Sequence, residues 1–392
     1  MGDIVDFEKT EQEEIRVDLS EVFRGSIRMT LEMMLEEEVK AIVGAKRYER
    51  AAGRSGVRNG SYMRTLLTSM GHIDVKVPRT RVGSAVGAIG EYQRRTEDVD
   101  ALITEAYVSG VSNRKMGDVT DALMGRRVSK SVASRVAKRL SQTVEELRTQ
   151  RFEQGFKYLY LDATFIKTRW ARRVENVAAL VAYGVGDDGH RHLLGVTLGS
   201  QECEASWSDL LEQLVDRGLT GVALVISDAH KGLLAAARTW LPEADYQRCT
   251  VHLTRNVTAK IPKRLQKRVA REVSNIFKAK GKVDATARLK EFESRWSKEL
   301  PEATKCLNDG FDAASRFFSF PKAHWKRIHT TNSIERLNRE IKRRTKAVGA
   351  FPDRDSALRL VTAVAIKVCA QWGDRRYLDM NLFKREENEQ AK

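Results

Sequence analysis

The chain has 392 residues, 42% hydrophobic and 31% charged, enough to bury a sizeable core in about two to four domains. Lys and Arg total 69 against 53 Asp and Glu, a net charge of +16 that favours a polyanionic partner by counterion displacement; ribosomal, chromatin-type and membrane-surface proteins share this trait, so charge alone names no function. Cys203, Cys249, Cys306 and Cys369 lie far apart as reduced thiols would, and neither a basic-then-apolar leader nor an apolar run near the roughly 18 residues of a membrane span is found, so a cytoplasmic protein with no membrane partner is expected.

Residues 1–20 are acidic and polar and read as poorly ordered. From Ile27, the apolar positions Ile27, Leu31, Met34, Leu35, Val39 and Ile42 recur at helical spacing, with Gly44 as the stop. A basic, glycine-rich stretch with Arg47, Arg50, Arg54 and Arg58 follows. Ile73, Val75 and Val77 then alternate with polar neighbours after a turn at Gly71, the pattern of a small hairpin.

Residues 112–140 carry a helix-turn-helix pattern. Met116, Val119 and Leu123 give one apolar face, Gly125 the turn, and Val132, Val136 and Leu140 a second face. Lys130, Arg135, Lys138 and Arg139 lie on or beside the second helix, as in a reader of the major groove. An ordinary two-helix packing unit with solvated lysines has the same pattern, and both readings stand at this point.

The periodicity then changes. Tyr158–Thr164, Val177–Gly186, His192–Gly199 and Val222–Asp228 are short apolar or alternating runs, with a turn at Asp187–Gly189 and helical stretches at Ser206–Arg217 and Lys231–Trp240. Three strands, a helix and another strand predict an α/β sheet with an antiparallel start. After Tyr246–Thr250 the strand pattern ends, and residues 251–328 are basic, helical in character and dotted with aromatics. Two final helices are predicted at about 332–347 and 355–371, either side of Phe351-Pro352.

Two acids close apolar runs: Asp162 after Tyr158-Leu159-Tyr160-Leu161, and Asp228 after Val222–Ser227. Acids at strand ends converge over one sheet edge, as two-metal phosphodiester chemistry requires, but an Asp there also commonly caps the next helix. Glu335 is the third candidate. Asn332-x-x-Glu335 reads as a capping box, while Ile334, Leu337 and Ile341 form a buried stripe beside a face with Glu335, Arg339, Lys342 and Lys346. One acid heading a row of cations suits a helix with its Glu at metal ions and its bases along DNA phosphates.

Four motifs in this order resemble bacterial insertion-sequence transposases of the Mutator type, in the DDE superfamily. They are Tyr160-Leu161-Asp162-Ala163-Thr164, Ser227-Asp228-Ala229-His230-Lys231-Gly232-Leu233, Cys249-Thr250-Val251-His252-Leu253-Thr254-Arg255-Asn256 and Thr330-Thr331-Asn332-Ser333-Ile334-Glu335-Arg336-Leu337-Asn338. Arg58-Asn59-Gly60 and Val77-Pro78-Arg79 add to the match, which runs from about Met33 to Trp372.

The resemblance implies a ribonuclease-H-like catalytic core interrupted by an all-helical insertion, with Asp162, Asp228 and Glu335 as catalytic triad and ligands of two Mg²⁺ (or Mn²⁺) ions. It implies residues 1–150 as a mainly helical DNA-binding region, 151–250 as the first part of the core, 251–328 as the insertion and 329–392 as the last part. The implied reaction is hydrolysis at terminal inverted repeats to free 3′-hydroxyls, then strand transfer into target DNA, by at least a homodimer on DNA, with nucleoid association when bound. It also places His252, with Cys249, near the active site and Lys342 near the cut. Cys249-x-x-His252 alone supplies two of the four ligands a tetrahedral zinc site needs. Trp325 either stacks on an unpaired base or packs in the core; His230 and Lys231 either touch phosphate or only start a helix. A DNA-binding regulator without catalysis and a nuclease or resolvase of the same fold are the competing functions.

Overall fold

A computed structural model describes residues 7–83, 85–91, 93–170, 173–372 and 375–383, and the chain divides into two compact units, Met1–Ala137 and Lys138–Lys392.

The first unit opens with α1 (Phe7–Val43), so the stretch read as poorly ordered is helical from Phe7; residues 1–6 lie outside the described residues. Gly44 ends α1 with φ +73°, its N–H bonded to the Lys40 carbonyl. Of the apolar positions expected to face inward, Leu35 and Val39 are fully buried, but Met34 is exposed. Leu35 packs on the hairpin of β1 (Arg58–Thr68) and β2 (Gly71–Thr80), whose Ile73, Val75 and Val77 point into this core by period-2 alternation. After α2 (Glu97–Val108), α3 (Met116–Met124) and α4 (Lys130–Lys138) form the expected helix pair, and Gly125 takes φ +66° at the stop of α3.

The buried stripe of α3 is not the expected one. Met116, Thr120 and Met124 are buried, whereas Leu123 is exposed. Polar Thr120 can occupy a core position because its hydroxyl donates to the Gly117 carbonyl and accepts from the Val128 N–H across the turn.

The second unit begins with α5 (Leu140–Thr149) and holds a five-stranded mixed sheet of order β5-β4-β3-β6-β7. Long strands β3 (Phe156–Trp170) and β4 (Arg173–Gly186) and then β5 (Arg191–Gly199) are antiparallel; β6 (Leu224–Ser227) and β7 (Asp245–Arg248) add on parallel to β3. Parallel strands need crossovers, and α6 (Glu204–Asp216) and α7 (Lys231–Trp240) provide them. Both helices cover one sheet face, where Trp207, Leu211 and Leu233 meet Leu159, Leu161 and Leu180.

The opposite face of β3 carries Tyr158, Tyr160 and Asp162. It lies under α13 (Asn332–Val348), while α14 (Arg354–Ala370) packs beside α13. Tyr160 stacks on Tyr183 of β4 with centroids 4.5 Å apart, and the Tyr183 hydroxyl bonds Ser333 in the first turn of α13. Between β7 and α13 the chain is helical: α8 (Thr250–Thr258), α9 (Lys263–Ile276), α10 (Lys282–Trp296), α11 (Pro301–Ala314), a 3₁₀ turn and α12 (Trp325–Ile328). No helix among the described residues is long and apolar enough to cross a membrane.

Candidate active site

The pleat that buries Tyr158 and Tyr160 turns Asp162 towards α13. The Ala163 N–H donates to its Oδ1 at 3.0 Å, and Asn338 Nδ2 on α13 donates to its Oδ2 at 2.8 Å. Burial, and next the charge of Asp228, push the pKa of Asp162 up to about 6, against these two hydrogen bonds and the charge of His252.

β3 and β6 run parallel with Tyr160 opposite Ile226, so Asp162 and Asp228 each follow a paired residue by two positions. Asp228 stands one residue beyond β6 instead of inside it, and its backbone carbonyl accepts from the Tyr246 hydroxyl at 2.7 Å.

Glu335 reaches the site differently. The α13 N-cap is Thr331, which makes no side-chain cap bond, so the capping box expected from Asn332 and Glu335 is not formed. The Glu335 carboxylate instead faces α8, with His252 Nε2 at 3.5 Å and the exposed Arg255 Nη1 at 3.4 Å. His252 is drawn towards its protonated form mainly by its hydrogen bond to Cys249, then by the charges of Cys249, Glu335 and Asp228, against burial. The imidazole thus acts electrostatically on all three acids.

Cys249 caps α8 and is fully buried. Its Sγ accepts from the Thr331 N–H at 3.3 Å and the Thr331 hydroxyl at 3.2 Å. Burial raises its pKa, but the hydrogen bonds from His252 and Thr331 outweigh burial and hold it below the ordinary thiol value. Among the described residues, the ligand atoms of Cys249, His252 and Glu335 form the one trio within 4.8 Å, a third donor beside the Cys-x-x-His pair. The three acids do not form such a trio: Asp162 and Asp228 interact through their charges, and Glu335 is turned to His252.

His230 forms the N-cap of α7 with Nδ1 3.7 Å from Glu202 Oε1, and Lys231 opens the helix, exposed. Trp325 donates its indole N–H to the Phe320 carbonyl at 2.6 Å and packs edge-on against Phe318. Arg339, Lys342 and Lys346 are exposed along α13, as are Lys130, Arg135, Lys138 and Arg139 in or after α4.

Several site residues escape a reading by residue type. Asn338 and Arg255 sit inside the family-like motifs, Asn338 three positions after Glu335 on the buried side of its helix, a spacing that could have marked it. Glu202 leaves no signal, because it lies in a loop after β5. Burial raises its pKa, as does the charge of Asp228, while that of His230 lowers it. Gly232 keeps that loop close: a Cβ there would lie 2.5 Å from the Glu204 nitrogen and 2.8 Å from the Cys203 carbonyl carbon.

Residues 3–374 match the family described as Transposase, Mutator family. The chain is 37% identical over 360 residues to the transposase for insertion sequence element ISRM5 of Rhizobium meliloti (strain 1021), covering 91% of this chain and 90% of that one. It is 35% identical to the transposase for insertion sequence element IS256 in transposon Tn4001 of Staphylococcus aureus (92% and 94% covered), and 35% identical to that for IS1081 of Mycobacterium tuberculosis (strain ATCC 25618 / H37Rv; 97% and 93%). These relatives are transposases by name, a class of DNA-processing enzyme tied to mobile elements. The chain belongs to the Mutator family of transposases.

Proposed function

We propose that this chain binds the terminal inverted repeats of an insertion sequence, hydrolyses a phosphodiester at each end to free a 3′-hydroxyl, and joins that hydroxyl to target DNA. In the first step water adds to phosphorus and the P–O3′ bond breaks; in the second the freed hydroxyl attacks a target phosphorus and displaces that strand's own 3′ oxygen. No covalent protein intermediate is needed.

The observation that supports this reading is the charge interaction of Asp162 with Asp228, each two positions beyond the facing pair Tyr160 and Ile226, together with His252, which interacts with both and faces Glu335. The strand order, antiparallel through β3 and parallel beyond it, supports a ribonuclease-H-like core, and α8–α12 fit an all-helical insertion between the second and third acids.

The donor set fits divalent metal. Asp162 has its pKa raised first by burial and then by the charge of Asp228, so two hard oxygen donors share negative charge that a cation would relieve. Asp162, Asp228 and Glu335 would hold two Mg²⁺ or Mn²⁺ ions, which when bound supply an activated water and stabilise the leaving oxygen. Asn338 orients the Oδ2 of Asp162. His252 and Arg255 hold the Glu335 carboxylate until it is needed at the aspartates. Lys342, Arg339 and Lys346 line the DNA backbone along α13, and Lys130, Arg135, Lys138 and Arg139 serve end recognition. In domain terms, residues 1–150 recognise ends, 151–250 and 329–392 form the core, and 251–328 are the insertion. Pairing of two ends calls for a homodimer on DNA, and α1 leaves Leu19, Val22, Phe23, Met29 and Met33 exposed for such a contact.

The test is incubation of the protein with DNA bearing its element's ends, in Mg²⁺ or EDTA, beside Asp162→Asn, Asp228→Asn and Glu335→Gln. Metal-dependent cutting and joining, lost in all three variants while end binding survives, is expected. Binding without cutting under any divalent metal would leave a DNA-binding regulator; nicks without joined strands would leave a nuclease or resolvase.

A further inference from the structure

The N-terminal end of α13 borders a second feature of the catalytic unit, an open cavity of about 1090 Å³ that none of the three acids lines. Arg191, Lys326, Arg327, Arg336, Arg375 and Arg376 line it, and among the described residues no acid does. Among the described residues only Arg376 of these six has a carboxylate within ion-pair distance, Asp379 at 3.0 Å.

The guanidiniums of Arg191 and Arg327 are held by rings instead of counter-ions. The Arg191 Cζ lies 4.2 Å from the Trp372 centroid and 4.5 Å from that of Tyr377, while the Arg327 Cζ lies 5.0 Å from Tyr377. The frame behind them is pinned: the Tyr377 N–H bonds the Gly189 carbonyl at 2.8 Å, Tyr160 donates to the Arg327 carbonyl at 3.2 Å, and Trp372 packs on Tyr183 at 5.2 Å. A ring face fixes a guanidinium without neutralising it or consuming its N–H donors, which leaves the planar fork available to an oxyanion.

We propose that this cavity binds the phosphodiester backbone of a DNA strand as it crosses the first turn of α13. The inference rests on the transposase reading given above and extends it to a surface that reading does not use. On α13, Asn332, Ser333 and Arg336 face this cavity, beside the face that carries Glu335, Arg339 and Lys342. A strand engaged at Glu335 therefore meets Arg336 next, then Arg327 and Arg191. The cavity is open, and its cations come from separate segments of the chain, which suits an extended polyanion.

The experiment measures binding of a fluorescein-labelled duplex carrying the element's end and flanking DNA, by anisotropy in EDTA over a range of NaCl concentrations. It compares the wild type, Arg191→Lys, the double variant Arg327→Ala/Arg336→Ala, and the control Arg264→Ala/Arg271→Ala on α9, which removes the same charge elsewhere. The cavity double variant should bind about tenfold more weakly, with a salt slope reduced by roughly 0.7 to 0.9 for each phosphate no longer neutralised. Arg191→Lys should weaken binding although charge is kept, because an ammonium cannot reproduce the fork. Wild-type affinity and slope in the cavity variants, or a weakening no greater than in the α9 control, would overturn the proposal. So would variants that differ from wild type only in binding a mononucleotide, which would make the cavity a small-anion site. Cleavage in Mg²⁺ is scored separately. A protein whose binding depends on the cavity but which never cuts keeps this assignment and loses the catalytic one; a protein that cuts with dispensable cavity arginines does the reverse.

Discussion

Asn338 on α13 donates to Asp162 on β3 at 2.8 Å, so the helix that carries Glu335 is tied to the strand that carries the first aspartate by one hydrogen bond between residues 176 positions apart. A hydrogen bond to a charged group is worth about 1.5 to 3 kcal/mol. Asn338→Ala should cost stability of that order, raise the pKa of Asp162 further, and reduce metal-dependent cleavage by at least tenfold at unchanged DNA affinity. Thermal unfolding and single-turnover cleavage measure the two effects; full cleavage in a folded Asn338→Ala protein would refute the coupling.

Asp162 also makes stability depend on pH. Its folded pKa of about 6 lies above the ordinary 3.8, so between those values the native state holds a proton that the unfolded chain has released. The contribution is complete below about pH 4 and is lost as the pH rises through about 6. At one pKa unit per about 1.36 kcal/mol, the ionised carboxylate costs up to roughly 3 kcal/mol at neutral pH, less what solvent screens at its exposed edge. Metal-free Asp162→Asn should therefore be more stable than wild type at pH 7, and the gap should close near pH 4. Denaturant melts at both pH values decide it: an advantage absent at pH 7, or unchanged on acidification, contradicts the assignment.

His252 should titrate above the ordinary imidazole value of 6.5, since its Cys249 hydrogen bond and the charges of Glu335 and Asp228 all favour the cation. The pairing of His252 with Glu335 is then fully present below 6.5 and lost as the pH rises through the folded pKa. NMR titration of the ring protons should show the raised midpoint, moving down in Glu335→Gln. A midpoint at or below 6.5 in the wild type would disprove it.

Gly232→Ala offers a test by sign. In an exposed helix this change stabilises by about 1 kcal/mol. Here the added Cβ would press on backbone atoms of Cys203 and Glu204 at 2.5 to 2.8 Å, so a destabilisation of about 1 to 3 kcal/mol is expected, with the Glu202 loop displaced from His230. A raised melting temperature would show that the backbone there yields.

Much of the fold was legible because its elements obey local periods. The hairpin of Ile73, Val75 and Val77, the strands around Asp162 and the α13 stripe of Ile334, Leu337 and Ile341 are each written in the alternation of a few residues. Where two stripes competed, the pattern misled. In α3, Leu123 and Met124 are both apolar neighbours, and only packing decides that Met124 goes inside while Leu123 stays in solvent. Met34 and Leu35 pose the same choice in α1, settled by the hairpin beneath Leu35. The Asn332–Glu335 box did not form because α13 starts at Asn332, with Thr331 as its N-cap, and the Glu335 carboxylate faces the His252 imidazole and Arg255 guanidinium of another helix.

The sequence by itself determined the family, the order of the acids along the chain, and the change from strands to helices after Tyr246–Thr250, because these are carried by residue identity and short-range spacing. Only the tertiary structure decided that the charges of Asp162 and Asp228 interact, that Asn338 ties α13 to Asp162, and that His252 interacts with all three carboxylates. Only it, too, gathered Arg191, Arg327 and Arg336 around Trp372 and Tyr377. Such relationships join residues tens to hundreds of positions apart, and no local propensity encodes which long-range pairings repay the entropy of closing the chain between them.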